Sequence, residues 1–334
     1  MTRTQPVRRR VGGPRPLAAA LTAVAALASL ALAACGGPTG LDDLGRESPS
    51  EPVETTTEPG TTPPVVMCDD ATVSYEPGGT SSELSTLADV EEIRASGTIV
   101  AGVSADTLLL GARNPFTGDL EGFDVDVVRD LSTAIFGDPD HVTYRVITSG
   151  DRVGVLESGD VDVVVRAFTM TCARWEQIGF SASYFEAGQK LLVADTSDVT
   201  RLEDLDGQRV CAPAGTTTLD RLADYGAEAV PAPTHSACLA LFQQGRVDAI
   251  TGDDTILAGF AAQDPHTRVV GDAISSEPYG VGVGADRVDL ARFVNAVLAE
   301  RVADGRWQAS YDRWLAPALG PDVAAPVPEY GRIP

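Results

Sequence analysis

Two stretches of this 334-residue chain share one pattern, and this repeat constrains the fold more than any other feature. "LESGDVDVVV" (residues 156–165) and "FQQGRVDAIT" (residues 242–251) each resemble the end of a helix, followed by a glycine, Val-Asp and a strand. A glycine suits the left-handed position after a helix, where other residues are strained. Two such units about 85 residues apart predict two α/β lobes of related design.

The neighbouring segments extend the alternation of strands and helices. "GTIVAGV" (residues 97–103) and "VTYRVI" (142–147) are typical of short strands, and "FDVDVVRDLSTAIF" (123–136) has the apolar stripe of an amphipathic helix. Strands that are apolar on both faces indicate a sheet with parallel neighbours. In open sheets of this kind, ligands bind beyond the carboxyl ends of the strands. The residues that follow each strand are therefore the candidate site residues.

The segments after the two repeat strands differ in charge. "RAFTMTCAR" (residues 166–174) offers hydroxyl groups and a guanidinium, whereas "GDDT" (252–255) offers two carboxylates. A guanidinium with a neighbouring hydroxyl suits a planar carboxylate, so we expect Arg174 and Thr169 to bind one. An ammonium needs a carboxylate acceptor, and Asp253 is the candidate. An α-amino acid carries both groups, and a ligand held between the lobes would favour their closure.

A third segment, "VCAPAGTTTLDRL" (residues 210–222), runs from a strand into a helix. Backbone N–H groups near Gly215, together with the hydroxyls of Thr216 and Thr217, are suited to an anion.

Several of these residues also fit purely structural roles. The alternative for Arg174 is an ion pair with Glu176. The alternative for Asp253, or for the better placed Asp254, is a cap of the helix that follows. Thr169 and Thr171 would then be ordinary residues at a strand end. We interpret Asp162 and Asp248, which recur in the repeat, as structural turn or cap residues.

The N-terminal part has the composition of an export signal and a tether. The first 34 residues hold five arginines, no acidic residue and an apolar run, and Leu-Ala-Ala before Cys35 resembles the lipobox of bacterial lipoproteins. This predicts a lipoprotein signal peptide over 1–34 and a lipid anchor on Cys35; an ordinary signal peptide or a short membrane helix is the alternative. Residues 35–66 are rich in Pro, Thr and Glu and predict a disordered linker.

Charge and cysteine usage exclude other classes of protein. A formal charge of −23 argues against nucleic acid as a partner. Four cysteines remain besides Cys35, and an even number outside the cell favours disulfides, with three possible pairings. Cys-X-X-Cys spacing is absent and the three histidines are far apart, so we expect no metal; we see no P-loop or nucleophile elbow and expect no cofactor.

Several segments in a fixed order resemble family 3 of the bacterial extracellular solute-binding proteins. They are residues 210–217, "FTMTCAR", "GRVDAITGDDTILAGFAAQDP", "EPYGVGV" and "FVNAVLAERVADGRWQASYDRWL". The similarity covers about residues 68–319 and is greatest to actinobacterial glutamate/glutamine-binding lipoproteins of ABC importers. It implies an α/β, two-lobed periplasmic-binding-protein type II (Venus flytrap) fold with two hinge strands, near 191–194 and 282–284. Lobe 1 would comprise 67–193 and 285–320, lobe 2 would comprise 194–284, and 321–334 would be a C-terminal tail.

The resemblance also assigns roles to single residues. It implies that Thr169 and Arg174 bind the α-carboxylate, that Gly215, Thr216 and Thr217 form the lobe 2 loop, that Asp253 accepts the α-ammonium and that Ala167 contributes its backbone only. It implies disulfides Cys211–Cys238 and Cys68–Cys172. Relatives often cover the ligand with an aromatic residue where this chain has Leu108 to Leu110. Arg113 or Arg166 would then either neutralise a γ-carboxylate or face solvent.

The function that follows is an extracytoplasmic, lipid-anchored receptor for glutamate, aspartate or glutamine. We expect a monomer that delivers its ligand to the transmembrane permease subunits of an ABC importer, and no enzymatic activity. Two alternatives use the same fold: a sensor module for a membrane signalling partner, and an enzyme that resembles dehydratases of aromatic amino-acid precursors.

Overall fold

The computed structural model describes residues 70–333 of the chain. The strands are β1 (Val73–Ser74), β2 (Ile99–Val103), β3 (Asp106–Thr107), β4 (Gly111–Arg113), β5 (Leu120–Glu121), β6 (Val142–Val146), β7 (Val163–Val164), β8 (Ile178–Phe180), β9 (Phe185–Ala194), β10 (Arg209–Pro213), β11 (Glu228–Ala232), β12 (Ala249–Asp253), β13 (Thr267–Val270), β14 (Ser276–Tyr279), β15 (Gly282–Gly284) and β16 (Glu329–Tyr330). The α-helices are α1 (Ala88–Ser96), α2 (Phe123–Phe136), α3 (Arg152–Glu157), α4 (Cys172–Trp175), α5 (Thr217–Asp220), α6 (His235–Gln243), α7 (Asp254–Gln263), α8 (Val288–Ala303), α9 (Arg306–Trp314) and α10 (Ala316–Leu319). The predicted signal peptide 1–34, the linker 35–66, Cys35 and Cys68 lie outside the described residues.

The first sheet has the strand order β6-β2-β7-β15-β8. β2 pairs in parallel with β6 and β7, and β15 runs antiparallel to β7 and β8. The predicted stripe of α2 is buried at all its apolar positions, and Leu131 of α2 shares a core with Ile99 of β2 and Phe293 of α8. Burial of this apolar stripe places α2 against the sheet.

The second sheet has the order β11-β10-β12-β9-β13, and β14 pairs with the beginning of β9. β10 is parallel to β11 and β12, whereas β9 is antiparallel to β12 and β13. A disulfide joins Cys211 of β10 to Cys238 of α6, which confirms this predicted pairing. Cys172 is disulfide-bonded as well. Its predicted partner is outside the described residues, so that pairing stays a prediction.

The two repeat units occupy equivalent places in the two sheets. The glycines that follow the helices have left-handed φ angles of 69° and 67°. Asp162 Oδ2 accepts a hydrogen bond from Val100 N at 2.8 Å, next to β7, and Asp248 Oδ2 accepts one from Arg209 N at 3.0 Å, next to β12. Each aspartate therefore has a structural role, although it links its strand to a parallel neighbour and does not act as the predicted turn or cap residue.

Two antiparallel segments connect the sheets. β9 pairs with β14 over residues 185–188 and continues into the second sheet from residue 189, while the chain after β14 enters the first sheet as β15. The crossing therefore precedes both segments in which the sequence analysis placed the hinge. Residues 191–194 lie inside the second sheet and 282–284 inside the first, and strands on both sides pair with them.

The C-terminal tail returns to the beginning of the described chain. β16 pairs in parallel with β1, and Arg332 Nε donates to Val73 O at 2.9 Å. The Arg332 guanidinium also lies 3.7 Å from the centre of the Trp175 ring, a cation–π distance. Among residues 70–333, none of the helices combines the length and the apolar character that crossing a membrane requires.

Candidate ligand-binding site

The segment between β7 and α4 runs alongside β14 and the residue that follows it. Phe168 O accepts a hydrogen bond from Gly280 N at 3.1 Å, and Met170 N donates to Pro278 O at 2.8 Å. Thr169 is 4% exposed between them. Thr171 is the N-cap of α4, since its hydroxyl oxygen accepts a hydrogen bond from the backbone N–H of the third helical residue at 3.3 Å. This cap ends the strand and starts the turn that carries Arg174.

The Arg174 side chain folds back over this segment. Nη1 donates to Thr169 O at 2.5 Å, Nη2 donates to Gly215 O at 3.3 Å, and the guanidinium lies 5.0 Å from the Phe168 ring. The alternative ion pair with Glu176 does not form. Burial lowers the pKa of the Arg174 guanidinium to about 10, while the charge of Glu277 opposes this shift. Arg174 is therefore a cation at neutral pH.

A second arginine, which the sequence analysis missed, lies beside it. Arg152 begins α3 and is 3% exposed. Its Nη1 donates to Ala167 O at 2.9 Å and its Nη2 to Gly215 O at 3.0 Å, and its guanidinium lies 4.5 Å from the Phe168 ring. Within residues 70–333, neither Arg152 nor Arg174 has a carboxylate at ion-pair distance, whereas Arg221, for comparison, pairs with a glutamate at 3.3 Å.

The loop that bears Gly215 belongs to the second sheet and contacts the first half of the molecule. Gly215 has a φ of 73°, and a Cβ atom there would lie 2.8 Å from Gly150 Cα. Glycine is therefore required for both the backbone conformation and the close approach. Thr216 caps α5 and donates to Pro213 O at 2.7 Å, and the Thr217 hydroxyl donates to a buried glutamate. The loop thus contributes the Gly215 carbonyl to the arginine pair.

Asp253 stands at the end of β12 and is 5% exposed. Its Oδ2 accepts a hydrogen bond from the Tyr279 hydroxyl at 2.6 Å, and it makes no side-chain cap. Burial first, and the charge of Glu277 second, raise the pKa of the Asp253 carboxyl to about 8, although the bond from Tyr279 opposes the shift. The neighbouring Asp254 accepts from the backbone N–H groups of Thr255 and Gly188 at 2.8 and 3.4 Å. Asp254 thus has a structural role, whereas the Asp253 carboxyl group accepts the hydrogen bond from the Tyr279 hydroxyl.

Arg166 is buried, not solvent-facing, and its donors are largely engaged. Nε donates to Ile147 O at 2.9 Å, Nη1 donates to the Ser149 hydroxyl at 2.6 Å, and Nη2 lies 3.9 Å from a carboxylate oxygen of Asp106. Arg113 is exposed, and its Nη1 donates to Gly118 O within the β4–β5 turn. The structure therefore favours neither as the partner of a γ-carboxylate.

Both backbone polar atoms of Ala167, which the resemblance assigned to the ligand, form hydrogen bonds within the protein. Its N–H donates to Asp124 Oδ2 at 2.9 Å and its carbonyl accepts from Arg152. Its φ of 43° lies in the region that favours glycine. Burial raises the pKa of Asp124 to about 6, against hydrogen bonds from Tyr184 and Ala167. Asp124 is a second buried group that local sequence patterns did not reveal.

The two halves touch at a further point. Asp106 Oδ2, from the β3 side, accepts hydrogen bonds from the hydroxyl and the backbone N–H of Ser236 in α6, at 2.6 and 3.2 Å. Burial alone would raise the pKa of Asp106, but these bonds and the charge of Arg166 lower it to about 2. Burial and Arg166 also lower the pKa of His235 to about 3, so this imidazole is neutral.

Comparison with known proteins agrees with this architecture. Residues 99–317 match the family model described as bacterial extracellular solute-binding proteins, family 3. The ABC transporter glutamine-binding protein GlnH of Bacillus subtilis is 33% identical over 71% of this chain and 88% of that protein. The glutamate-binding protein GluB of Corynebacterium efficiens is 34% identical over 68% of this chain and 80% of that protein. The crystal structure of the solute receptor for L-cysteine of Neisseria gonorrhoeae matches with a TM-score of 0.67 and 26% identity, over 70% of this chain and 96% of that one. The predicted fold class is confirmed.

Proposed function

Because the chain belongs to family 3 of the bacterial extracellular solute-binding proteins, we propose that it is a receptor that binds an acidic amino acid and delivers it to an ABC importer. The similarity to a glutamine-binding protein of an ABC transporter and to a glutamate-binding protein supports this substrate class and this partner. The observation that carries the proposal concerns Arg152 and Arg174. Neither guanidinium has a carboxylate at ion-pair distance among residues 70–333, and the charge of Asp253, on the other sheet, acts on both.

The protein would bind both charged groups of the amino acid, the α-carboxylate and the α-ammonium. Arg174 offers a planar pair of donors to the α-carboxylate, and Asp253 offers an acceptor to the α-ammonium. The two groups lie within electrostatic reach, since the charge of Asp253 raises the pKa of the Arg174 guanidinium. The backbone carbonyl of Thr169, which now accepts from Arg174, is the neutral acceptor that a ligand carboxylate would replace. A carboxylate is the stronger acceptor for a buried guanidinium.

Charge balance supports a second carboxylate on the ligand. Arg166 has Asp106 and Asp124 as charge partners, and Asp253 is matched by the ligand ammonium. Arg152 and Arg174 remain, and glutamate or aspartate supplies one carboxylate for each. Glutamine would leave the charge of Arg152 unpaired in a buried position, which is unfavourable. We propose Arg152, in place of Arg113 or Arg166, as the residue that selects an acidic side chain.

Binding calorimetry on Arg152→Gln tests this selectivity. Loss of a buried charge pair costs about 2–5 kcal/mol, which is roughly a 30-fold or larger loss of glutamate affinity. We expect glutamine affinity to change much less, because glutamine makes no ion pair with Arg152. Arg145→Gln is the control, since Arg145 is exposed and pairs with Asp160 on the surface. Equal losses for glutamate and glutamine would contradict the proposal.

We further propose that closure occurs about the two crossing segments and that the lobe boundaries lie there. The hydrogen bonds of Arg152 and Asp106 to residues of the other sheet belong to the closed form. Titration with glutamate, followed by small-angle scattering, should reduce the radius of gyration. An unchanged scattering curve at saturating glutamate would contradict ligand-driven closure.

Delivery and anchoring complete the proposal. Lipidation at Cys35 would hold the protein at the outer face of the membrane, and a monomer would present the closed form to the permease. Metabolic labelling with a fatty acid should mark the wild-type chain and not Cys35→Ser.

Glutamate recovered unchanged after incubation with the protein would support binding without chemical conversion, and a new product would support the enzyme alternative.

A further inference from the structure

Gly259 lies in the middle of α7, at a position where glycine weakens a helix. The helix runs from Asp254 to Gln263, and Gly259 is buried within it. Glycine in a helix interior is less favourable than alanine, because its backbone has more conformational freedom to lose on folding. The helix itself therefore does not account for a glycine at this position.

A close contact with the other half of the molecule accounts for it. A Cβ atom at residue 259 would lie 2.5 Å from Leu108 O and 3.2 Å from Leu108 C, which is closer than van der Waals contact allows. Leu108 lies between β3 and β4 in the first half of the molecule, whereas α7 follows β12 of the second sheet. The absence of a side chain at Gly259 therefore lets the backbones of the two halves approach each other.

The loop that carries Leu108, residues 107–110, is fixed to the beginning of α2. Leu109 O accepts a hydrogen bond from Phe123 N, and Leu110 O accepts one from Asp124 N, both at 2.9 Å. Leu109 has a φ of 78°, in the left-handed region that a leucine seldom adopts. The loop cannot move away from α7 without the loss of these hydrogen bonds.

The helix on the other side of the contact is fixed as well. Ile256, Leu257 and Phe260 of α7 are at most 3% exposed and belong to the apolar core. A closely packed interior has low compressibility and transmits strain. A side chain at residue 259 would therefore press on two rigid parts, and separation of the two halves would relieve the pressure.

We propose that Gly259 is a positioning residue for amino-acid binding, because it leaves the space that the 107–110 loop occupies when the two halves close. This inference rests on the proposed function, in which closure retains the ligand. Gly259 acts through the distance between the halves and not through a contact with the ligand. Gly259→Ala should therefore weaken binding, although alanine is the better residue for the helix.

Gly154→Ala is the matched control for Gly259→Ala in the full chain. Gly154 is an exposed glycine of α3, and an added Cβ atom there would have no neighbour within 4 Å. In urea unfolding without amino acid, we expect both variants to be at least as stable as the wild type, since the open form accommodates the added methyl group. In calorimetry, Gly259→Ala should bind glutamate and glutamine roughly tenfold or more weakly, as expected for an overpacked contact. Gly154→Ala should keep both affinities within about twofold.

A similar loss for both ligands separates this effect from that of Arg152→Gln, which should act mainly on glutamate. Small-angle scattering at saturating glutamate should give a larger radius of gyration for Gly259→Ala than for the wild type. Wild-type affinity or wild-type compaction in Gly259→Ala, or an equal loss of affinity in Gly154→Ala, would overturn the inference. A Gly259→Ala chain that does not fold would also overturn it, because the obstacle would then not be confined to the closed form. A wild-type chain that binds no amino acid would instead overturn the proposed function, and this inference with it.

Discussion

Arg152 and Arg174 donate to one shared acceptor, the carbonyl oxygen of Gly215, at 3.0 and 3.3 Å. The two arginines follow different strands of the first sheet, whereas Gly215 follows β10 of the second. Two cations that share a neutral carbonyl are better satisfied by anionic oxygens. This relationship connects closure of the two halves with the charge of the ligand.

Asp253→Asn should reduce amino-acid affinity more than Asp254→Asn. The first change removes the proposed acceptor of the α-ammonium, and loss of a buried charge partner costs about 2–5 kcal/mol. The second change affects a carboxylate that accepts backbone N–H groups, so its effect should fall on the free energy of unfolding. Calorimetry and denaturant unfolding measure the two effects. The reverse order of affinities would move the ammonium site by one residue.

Affinity should rise with pH between about 6 and 8. In the structure the pKa of Asp253 is raised to about 8, so below that pH the carboxyl group must lose a proton before it can accept an ammonium. The expected slope approaches tenfold per pH unit for a single linked proton. Calorimetry at several pH values measures it, and the slope should vanish in Asp253→Asn. A flat profile for the wild-type protein would contradict the assignment.

The same raised pKa has the opposite effect on stability without added amino acid. An aspartate whose folded pKa lies above its unfolded value of about 3.9 binds more protons in the folded state. The free energy of unfolding should therefore fall as pH rises from about 4 towards 8, and Asp253→Asn should flatten this part of the curve. Urea unfolding at a series of pH values checks the sign.

Ser236→Ala should accelerate release of the bound amino acid. The Ser236 hydroxyl donates to Asp106 across the two halves, and a hydrogen bond to a charged group contributes about 1.5–3 kcal/mol. Because the bond joins the two halves, whose closure we propose to retain the ligand, its loss should appear in the dissociation rate, by roughly tenfold or more. Stopped-flow fluorescence measures it. Ser85→Ala serves as the control, since it removes a half-buried hydroxyl that donates only locally, to Ser82 O at 2.7 Å; an equal effect there would contradict the role of the contact.

Replacement of Cys211 and Cys238 by alanine should destabilise the second sheet. The bridge joins β10 to α6 across 27 residues of sequence, and closing a loop of this order contributes about 3 kcal/mol in the chain-entropy model. Denaturant unfolding should show this loss. The amino-acid affinity should remain within a few-fold, since neither sulfur contacts the arginine pair. Unchanged stability would show that the bridge does not constrain the unfolded chain.

Local patterns predicted the parts of the fold that are set by local physics. The Gly-X-Val-Asp repeat predicted two equivalent strand positions, because a left-handed glycine that ends a helix just before a strand acts over a few residues. The rule that ligands lie at strand ends selected Arg174, which follows a strand of the first sheet, and Asp253, which ends a strand of the second; the charge of Asp253 raises the pKa of the Arg174 guanidinium.

Long-range contacts had no such signature. Arg152 opens a short helix, and an arginine at that position looks the same whether it is solvated or turned inward. The contact between Asp106 and Ser236 spans 130 residues of sequence. We propose the hinge at the crossing segments, which come before residues 191–194 and 282–284; apolar strand residues alone do not reveal where one sheet ends and the next begins.

A crystal structure of the protein with glutamate would show directly whether one ligand is held by both sheets. We expect the α-carboxylate about 3 Å from the Arg174 guanidinium, the ammonium about 3 Å from Asp253, and the γ-carboxylate at Arg152, all at ordinary hydrogen-bond distances. Glutamate bound on one sheet alone, with the Arg174 side chain turned away into solvent, would contradict this expectation.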